Sequence, residues 1–293
     1  MILLTGATGT VGRALLRRLT AARTPVRCLV RDPRRLGVER VRVQIAMGDL
    51  ADPASFRNAT RGVDTVIHLA ASTRDQPRAS IEELNAVATL RLVGAAERSG
   101  ARNFVFFGTI GASLHGATRF AQAKELARRA VEGSSMQTTV FSPSIVYSPG
   151  DPWLNLLGRF SYLPVMPISG SGAALYQPIW ADDVADCVMA ALELRGGERR
   201  RSFELAGPES LSYKDIVKIA LRPTGRNRAL VHIPDPVVRG SLRILERLTG
   251  SAAFVTREEA ALLAEPMTSP RGTADAEALG VTPLRMRAVL GGA

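Results

Sequence analysis

Met1-Ile-Leu-Leu-Thr-Gly-Ala-Thr-Gly-Thr-Val-Gly-Arg-Ala14 is the stretch on which the fold turns. Met1 to Leu4 is an apolar run of a length suited to a buried strand. Gly6, Gly9 and Gly12 follow at once, and Leu15, Leu16 and Leu19 then recur at helical spacing within Val11 to Ala22. Strand, glycine turn and helix in that order form a phosphate-binding unit. Gly6 permits a tight exit from the strand. Gly9 lets the backbone around Thr8, Thr10 and Val11 approach a pyrophosphate with no Cβ in the way. Gly12 lets the helix pack close to the sheet. The helix N-terminus adds free N–H groups and a partial positive charge. Three glycines alone would also fit an ordinary glycine-rich turn. The flanking strand and helix decide for a dinucleotide.

Working outward, 293 residues can bury a sizeable core, as one large α/β domain or a domain plus a lobe. The composition is that of a soluble protein, 46% hydrophobic and 22% charged, and no apolar run reaches the ~18 residues a membrane helix needs. A strand that starts at the first residue leaves no room for a signal peptide, so a cytoplasmic location is expected. Cys28 and Cys187 are far apart in apolar segments and read as buried free thiols. No Cys/His cluster has metal spacing. The net charge of +11 comes mostly from arginine. Pairs and runs such as Arg17-Arg18, Arg128-Arg129 and Arg199-Arg200-Arg201 are scattered over helix faces and lack interleaved aromatics, which argues against a nucleic-acid groove.

Val26 to Val30 reads as a second strand, ending in Arg31-Asp32-Pro33-Arg34-Arg35. A carboxylate at this strand end suits the ribose of NAD, and arginine suits the 2′-phosphate of NADP. Arg31 comes first, with Arg34 and Arg35 behind it and Arg13 within reach, so NADP(H) is favoured over NAD(H). Asp32 is a competing signal, and Arg34 and Arg35 also fit solvated loop charge. Val41 to Met47 reads as a third strand before Gly48-Asp49-Leu50. Asp49 suits either the adenine amino group or the cap of a helix starting near Pro53. Further strands are expected at Thr65–Leu69, Asn103–Phe107, Met136–Phe141, Ser202–Leu205 and Leu230–Ile233. A long helix is expected over Ser80 to Ser99, with Leu84, Val87, Leu90 and Val93 inward. Trp153 to Ala174 reads as a substrate-side loop with a short helix. Asp182 or Asp183 would cap a helix over Val184–Leu194, and Ser212 one over Tyr213–Leu221. From Pro236 a basic amphipathic helix carries Val237, Val238, Leu242, Leu245 and Leu248 beside Arg239, Arg243 and Arg247. It fits a lobe helix with a solvated face, and also a membrane surface or protein partner. Thr256–Leu263 and Thr273–Leu290 read as helical, with no evident site.

The spacing Gly6-Ala-Thr-Gly-Thr-Val-Gly12, the segment His68-Leu-Ala-Ala71, the stretch Thr118-Arg-Phe-Ala-Gln-Ala-Lys124 and the segment Ser142-Pro-Ser-Ile-Val-Tyr-Ser-Pro-Gly-Asp151 together resemble the short-chain dehydrogenase/reductase superfamily. Gln177–Val184 and Gly207–Ile216 resemble its atypical branch, which includes NmrA-like regulators and the accessory subunit of respiratory complex I. The resemblance implies that Leu69, Ala70 and Ala71 line the cofactor, that Asp49-Leu50 meets its adenine, and that Asn85 holds the site geometry. His68 reads as a strand residue packed at the sheet. The family pairs a Tyr general acid with a Lys one helical turn on. Here Lys124 is present for the nicotinamide ribose, but Phe120 stands where the Tyr belongs. Gly108-Thr109 replaces the usual Ser-Ser, so Thr109 keeps a hydroxyl for a substrate carbonyl. Ser142 replaces an Arg and Ser148 a Gly. Tyr147 is a substitute acid or a packing residue.

The expected architecture is a doubly wound parallel Rossmann-type sheet of about seven strands with a small C-terminal lobe. The dinucleotide-binding domain spans 1–147 with a return segment near 177–205, and the lobe takes 148–176 and 206–293. Two functions follow. One is an NADP(H)-dependent reductase or epimerase-like enzyme with a small carbonyl-type substrate, using Thr109, Lys124 and Tyr147. The other is a non-catalytic protein that holds NADP(H) as a redox sensor or accessory subunit.

Overall fold

A computed structural model of the chain describes residues 1–194, 196, 198–226, 228–249 and 255–291. The opening stretch forms β1 (Ile2–Thr5) and α1 (Thr10–Ala21), as its pattern predicts. All of β1 is buried. A parallel strand covered by helices on both faces reads as a continuous apolar run, not as an alternation. The chain continues through β2 (Val26–Val30), β3 (Gln44–Met47), α2 (Pro53–Phe56), β4 (Thr65–His68), α3 (Ala88–Arg98), β5 (Asn103–Phe107), α4 (Arg119–Glu132) and β6 (Gln137–Pro143). Then come β7 (Val146–Tyr147), α5 (Pro152–Phe160), β8 (Val165–Ser169), β9 (Leu175–Tyr176), β10 (Ile179–Trp180), α6 (Ala181–Glu193) and β11 (Arg200–Leu205). The last elements are β12 (Leu211–Ser212), α7 (Tyr213–Leu221), β13 (Ala229–Ile233), α8 (Asp235–Thr249), α9 (Arg257–Leu262), α10 (Ala274–Ala278) and α11 (Met286–Leu290).

Seven strands form one sheet in the order β11-β6-β5-β4-β1-β2-β3. Every pairing in it is parallel. The chain winds outward from β1 to β3, then returns to lay β4 on the other side of β1. That reversal opens a crevice at the carboxyl ends of β1 and β4, where sheets of this kind take their ligands. Leu15, Leu16 and Leu19 of α1 and Val184, Cys187 and Val188 of α6 cover one face of the sheet. Leu92 and Ala96 of α3 and Ala127 and Val131 of α4 cover the other. Arg17 pairs with Asp182 at 2.9 Å and Arg18 with Asp186 at 2.5 Å, tying α1 to α6. Cys28 and Cys187 are buried and free, and burial pushes each thiol up to about 12.

Several elements differ from expectation. The third strand is confined to Gln44–Met47, because Pro33–Val41 turns as 3₁₀ helix with Gly37 at φ 61°. Within the long helix, Glu83–Val87 is π-helical. Its buried side is lined by Asn85, Ala88, Thr89, Leu92, Ala95 and Ala96 together with Val93, which faces inward as expected, while Leu90 is 58% exposed. Small residues make up much of that side, and of the side chains expected inward it is Leu90 that turns away from the sheet. Neither Asp182 nor Asp183 caps α6, whose N-cap is Trp180. Asp182 pairs with α1, and Asp183 accepts from the Leu284 N–H at 2.8 Å. Ser212 does cap α7, accepting from the Asp215 N–H. Arg200 and Arg201 lie on β11, not on a helix face. In the stretch expected to be a loop with a short helix, the helix is α5, capped by Asp151, and the unexpected element is β8, which pairs with β13. The segment Thr273–Leu290 holds two short helices, α10 and α11. Ala276 and Leu279 join the sheet core instead of the lobe.

Candidate functional site

The crevice begins at the glycine turn. Gly6 has φ +74°, and a Cβ there would lie 2.5 Å from the Ala70 nitrogen and 2.7 Å from the Leu69 carbonyl carbon. Gly6 is therefore sealed against the backbone leaving β4. A Cβ on Gly12 would collide with the Gly6 carbonyl and the Ala7 Cα, so Gly12 closes the helix onto the turn itself and not onto the sheet. Gly9 differs. A Cβ there would meet only the Gly6 carbonyl oxygen, at 3.3 Å, and the residue is exposed. Gly9 is also the N-cap of α1, with no side-chain cap and no acidic residue in the first turn. The first helical N–H groups, at Thr10, Val11 and Gly12, thus have the electrostatics an anion seeks. The turn is braced from behind: Arg13 Nε donates to the Thr8 carbonyl at 3.1 Å, and Val11 packs on the sheet core. This cradle fits a dinucleotide pyrophosphate.

At the β2 end, Asp32 accepts from the backbone N–H and the guanidinium of Arg34, both at 3.0 Å, and caps the 3₁₀ segment. Its carboxylate is thereby engaged locally. Arg31 is exposed and donates to the Gln76 side chain at 2.8 Å, spanning from the end of β2 to the segment after β4. Asp49 accepts from the Ala51 N–H at 3.0 Å, and Asp52, not Asp49, accepts from the Ala54 N–H near the helix at Pro53. Leu50 packs on the α3 side of the core, and Leu69 on the α1 side. Ala70 is half-buried and Ala71 exposed at the crevice wall.

His68 is buried in the sheet. Its Nδ1 lies 2.7 Å from Thr5 Oγ1 and its Nε2 lies 2.9 Å from Thr89 Oγ1. Burial, and then the nearby Lys124, hold it down to about 3, so the ring is neutral. Asn85, which could have faced solvent, is buried on the π turn. It accepts from the Ser72 N–H at 3.2 Å and donates to the Ser72 and Ile81 carbonyls at 2.8 Å each.

Lys124 lies on the inward side of α4 and is 3% exposed. Its ammonium donates to the Phe107 carbonyl at the end of β5 and sits 4.7 Å from the Phe106 ring centre. Burial lowers its amine to about 7. Phe120, one turn earlier, is 7% exposed among Ile81, Ala123 and Leu262. The Phe120 N–H donates to Glu258 at 3.1 Å, and Glu259 binds the Arg74 guanidinium at 2.7 Å. Helix α9 therefore roofs the place where a Tyr would stand. Sequence reasoning missed both glutamates, although Thr256-Arg-Glu-Glu259 is a capping box and marks that helix start.

Thr109 follows β5, with its hydroxyl 3.4 Å from the Ile110 carbonyl. A Cβ on Gly108 would lie 3.2 Å from Ser142 Oγ, so the two departures from the family pattern pack against each other. Tyr147 is not available as an acid. It is fully buried in a separate hydrophobic cluster with Tyr176, Ile216 and Met286, and its hydroxyl has no hydrogen-bond partner among the described residues. Burial, then the charges of Asp183 and Glu209, push that hydroxyl well above its usual range.

A cleft of about 990 Å³ opens beside this region, lined by Gln76, Ile81, Arg119, Val238, Arg257 and Ala261 among others. Its walls do not include the glycine turn, Thr109 or Lys124. Arg243 of α8 also reaches it, whereas the side chains of Arg239, Leu245, Arg247 and Leu248 lie outside the described residues. Among the described residues no three His, Cys, Asp or Glu side chains gather where a metal ion could be held, and no helix is long and apolar enough to cross a membrane.

The family model described as NAD(P)H-binding matches residues 6–159. A mitochondrial NADH dehydrogenase [ubiquinone] 1 alpha subcomplex subunit 9 from Arabidopsis thaliana is 25% identical over 253 residues, covering 80% of this chain. The chain spans only 60% of that relative's length. A (4-alkanoyl-5-oxo-2,5-dihydrofuran-3-yl)methyl phosphate reductase from Streptomyces griseus is 29% identical, covering 87% of this chain and 90% of that one. Among solved structures, an NADPH-dependent quinone oxidoreductase from Escherichia coli complexed with NADPH superposes with a TM-score of 0.76 at 15% identity, covering 99% of both chains. At that identity the likeness is one of fold. Cradle, strand order and family model agree, in line with the resemblance to the atypical and extended short-chain dehydrogenase/reductases: the chain belongs to the NAD(P)H-binding family.

Proposed function

We propose that the chain is an NADP(H)-dependent oxidoreductase acting on a small carbonyl-type acceptor. The observation that carries this reading is the crevice itself: an open Gly9 cradle at one end and a buried Lys124 amine at the other, on the carboxyl edge of one sheet. A bound nicotinamide would supply a hydride. Thr10, Val11 and Gly12 would hold the phosphates, Arg31 the 2′-phosphate, and Asp49 the adenine. Local engagement of Asp32 by Arg34 supports NADP(H) over NAD(H). Thr109 would orient the acceptor oxygen. With Phe120 apolar and Tyr147 buried, the proton comes from Lys124, whose lowered amine can give and regain one near neutrality, or from water. Relatives named as reductases, among them the Streptomyces enzyme and an NAD(P)H azoreductase of Xenophilus azovorans, support oxidoreduction.

A second reading, cofactor holding without turnover, is favoured by one observation: α9 covers Phe120 through Leu262 and Glu258. Titration with NADPH and NADH, followed by NADPH consumption with aldehydes, ketones and quinones, separates the two. Tight NADPH binding with turnover supports the enzyme. Tight binding with none supports the holder. Failure to bind either nucleotide sinks both.

A further inference from the structure

Thr5, His68, Thr89 and Asn85 form a chain of hydrogen bonds whose direction can be worked out atom by atom. The Thr89 hydroxyl lies 2.5 Å from the Asn85 carbonyl oxygen, which has no hydrogen to give. Thr89 therefore spends its only hydrogen there and must accept from His68. That places the imidazole hydrogen on Nε2. A neutral ring then leaves Nδ1 as an acceptor, so the Thr5 hydroxyl donates to it. Thr5 Oγ1 is left to accept, and the Ala70 N–H reaches it at 3.4 Å. The chain runs one way, from the Ala70 N–H through Thr5, His68 and Thr89 to the Asn85 carbonyl. Asn85 closes the loop from the other side by holding Ser72 through both its amide atoms.

We infer that His68 is a positioning residue for the dinucleotide: as the Nε2–H tautomer between Thr5 and Thr89, it holds the Ala70–Ser72 backbone at the distance from the glycine turn that the crevice requires. This rests on the reading of the crevice as the dinucleotide site. Gly6 shows how narrow the tolerance is, since a single Cβ would already strike the Ala70 nitrogen. Thr89 stands at the far end of the chain from the glycine turn. Its hydroxyl has a bearing on nucleotide affinity only if the chain transmits direction.

The test combines two measurements. Nitrogen NMR of the imidazoles reads the tautomer directly, with His115→Gln and His232→Gln assigning the three histidines of the sequence. Thr89→Val and Thr89→Ser are then compared for NADPH dissociation constant and melting temperature. A single Nε2–H pattern is expected for His68. Thr89→Val should weaken NADPH about fivefold to tenfold and disturb that pattern, while Thr89→Ser restores both. A purely structural hydroxyl would lower the melting temperature and leave the affinity of the folded protein unchanged, and that result overturns the inference. An Nδ1–H pattern in the unaltered chain overturns it without any variant. If the unaltered chain shows Nε2–H but binds no NADPH, the dinucleotide reading falls, and the positioning role with it.

Discussion

Substituting the three glycines one at a time by alanine separates what the turn does for the fold from what it does for the ligand. Gly6→Ala places a side chain at φ +74°, with its Cβ 2.5 Å from the Ala70 nitrogen. The left-handed backbone costs ~1–2 kcal/mol and the overpacking ~1–3 kcal/mol, or about 2–5 kcal/mol together. At the size of this chain that lowers the melting temperature by roughly 3–8 °C. Gly12→Ala belongs to the same class, since its Cβ would enter the Gly6 carbonyl. Gly9→Ala behaves differently. Its backbone is extended, at φ −79° and ψ 177°, and the nearest atom to a Cβ is the Gly6 carbonyl oxygen at 3.3 Å. Alanine is a poorer N-cap by several tenths of a kcal/mol, and the stiffer unfolded chain returns ~0.4–1 kcal/mol, so the net is near zero. A methyl group at this exposed N-cap would, however, take up room beside the helix N–H groups that the dinucleotide reading gives to a phosphate. Loss of one charge-assisted hydrogen bond, about 1.5–3 kcal/mol, weakens binding roughly 10–100-fold. Paired melting curves and NADPH fluorescence titrations read both quantities. A Gly9→Ala protein that melts normally and binds NADPH as tightly as the parent would refute the placement of the phosphates at this turn.

Lys124→Met should stabilise the nucleotide-free protein by about 1–3 kcal/mol at pH 7 while weakening NADPH, because it removes a buried amine that the fold holds far below its ordinary range. In the parent, the folded state releases this proton near pH 7 and the unfolded state near 10.5, so stability rises with pH across that window. The variant should lose the rise, and an unchanged slope in denaturant melts would count against the buried amine. His68 acts at the other end of the scale. Its folded value of about 3 lies below the ordinary 6.5, so stability present above pH 6.5 falls as the solution is acidified. Between pH 6.5 and 5, before most carboxylates titrate, the loss should approach ~2 kcal/mol, and flat urea midpoints there would contradict it. Arg31→Ala should raise the NADPH dissociation constant about tenfold and leave NADH unchanged, an asymmetry that follows from a lost phosphate contact. Equal losses for both would remove Arg31 from the 2′-phosphate. Phe120→Tyr places a hydroxyl among Ile81, Ala123 and Leu262; it should cost ~1–3 kcal/mol. Under the enzyme reading it should also speed carbonyl reduction by about 100-fold. A melting loss with no gain in rate would favour the holder.

The sheet was legible because its signals are local. The strands Val26–Val30 and Asn103–Phe107 stand where the apolar runs put them, and the glycine turn stands where its spacing put it. The short pairs β7–β10 and β9–β12 were not, because two-residue strands have no period to read. Lys124 was legible as a residue of the site, but not as a buried donor to Phe107, since burial depends on Phe106 and Phe120 closing around it. Tyr147 read as a cleft residue by resemblance. Its true surroundings are set by Tyr176 and by Met286, the second of which arrives much later in the chain. Glu258 and Glu259 were missed for the same reason: their partners Phe120 and Arg74 lie 138 and 185 residues away, and only the folded lobe brings them together.

The ion pairs between α1 and α6 also bear on how the chain is made. Helix α1 leaves the ribosome well before α6, yet the aspartates and the apolar face that cover it belong to residues 181–193. At ~5–20 residues per second, Leu15, Leu16 and Leu19 wait roughly ten seconds or more without their partner. A nascent chain in that interval presents a sheet with one bare flank, which is the kind of surface that chaperones hold and that aggregates seed from. Fragments ending near residue 159 would keep every glycine of the cradle and stay in that unfinished condition permanently. Expression of the nucleotide-binding half alone is therefore expected to yield insoluble protein, and co-expression of the segment carrying α6 and β11 to rescue it.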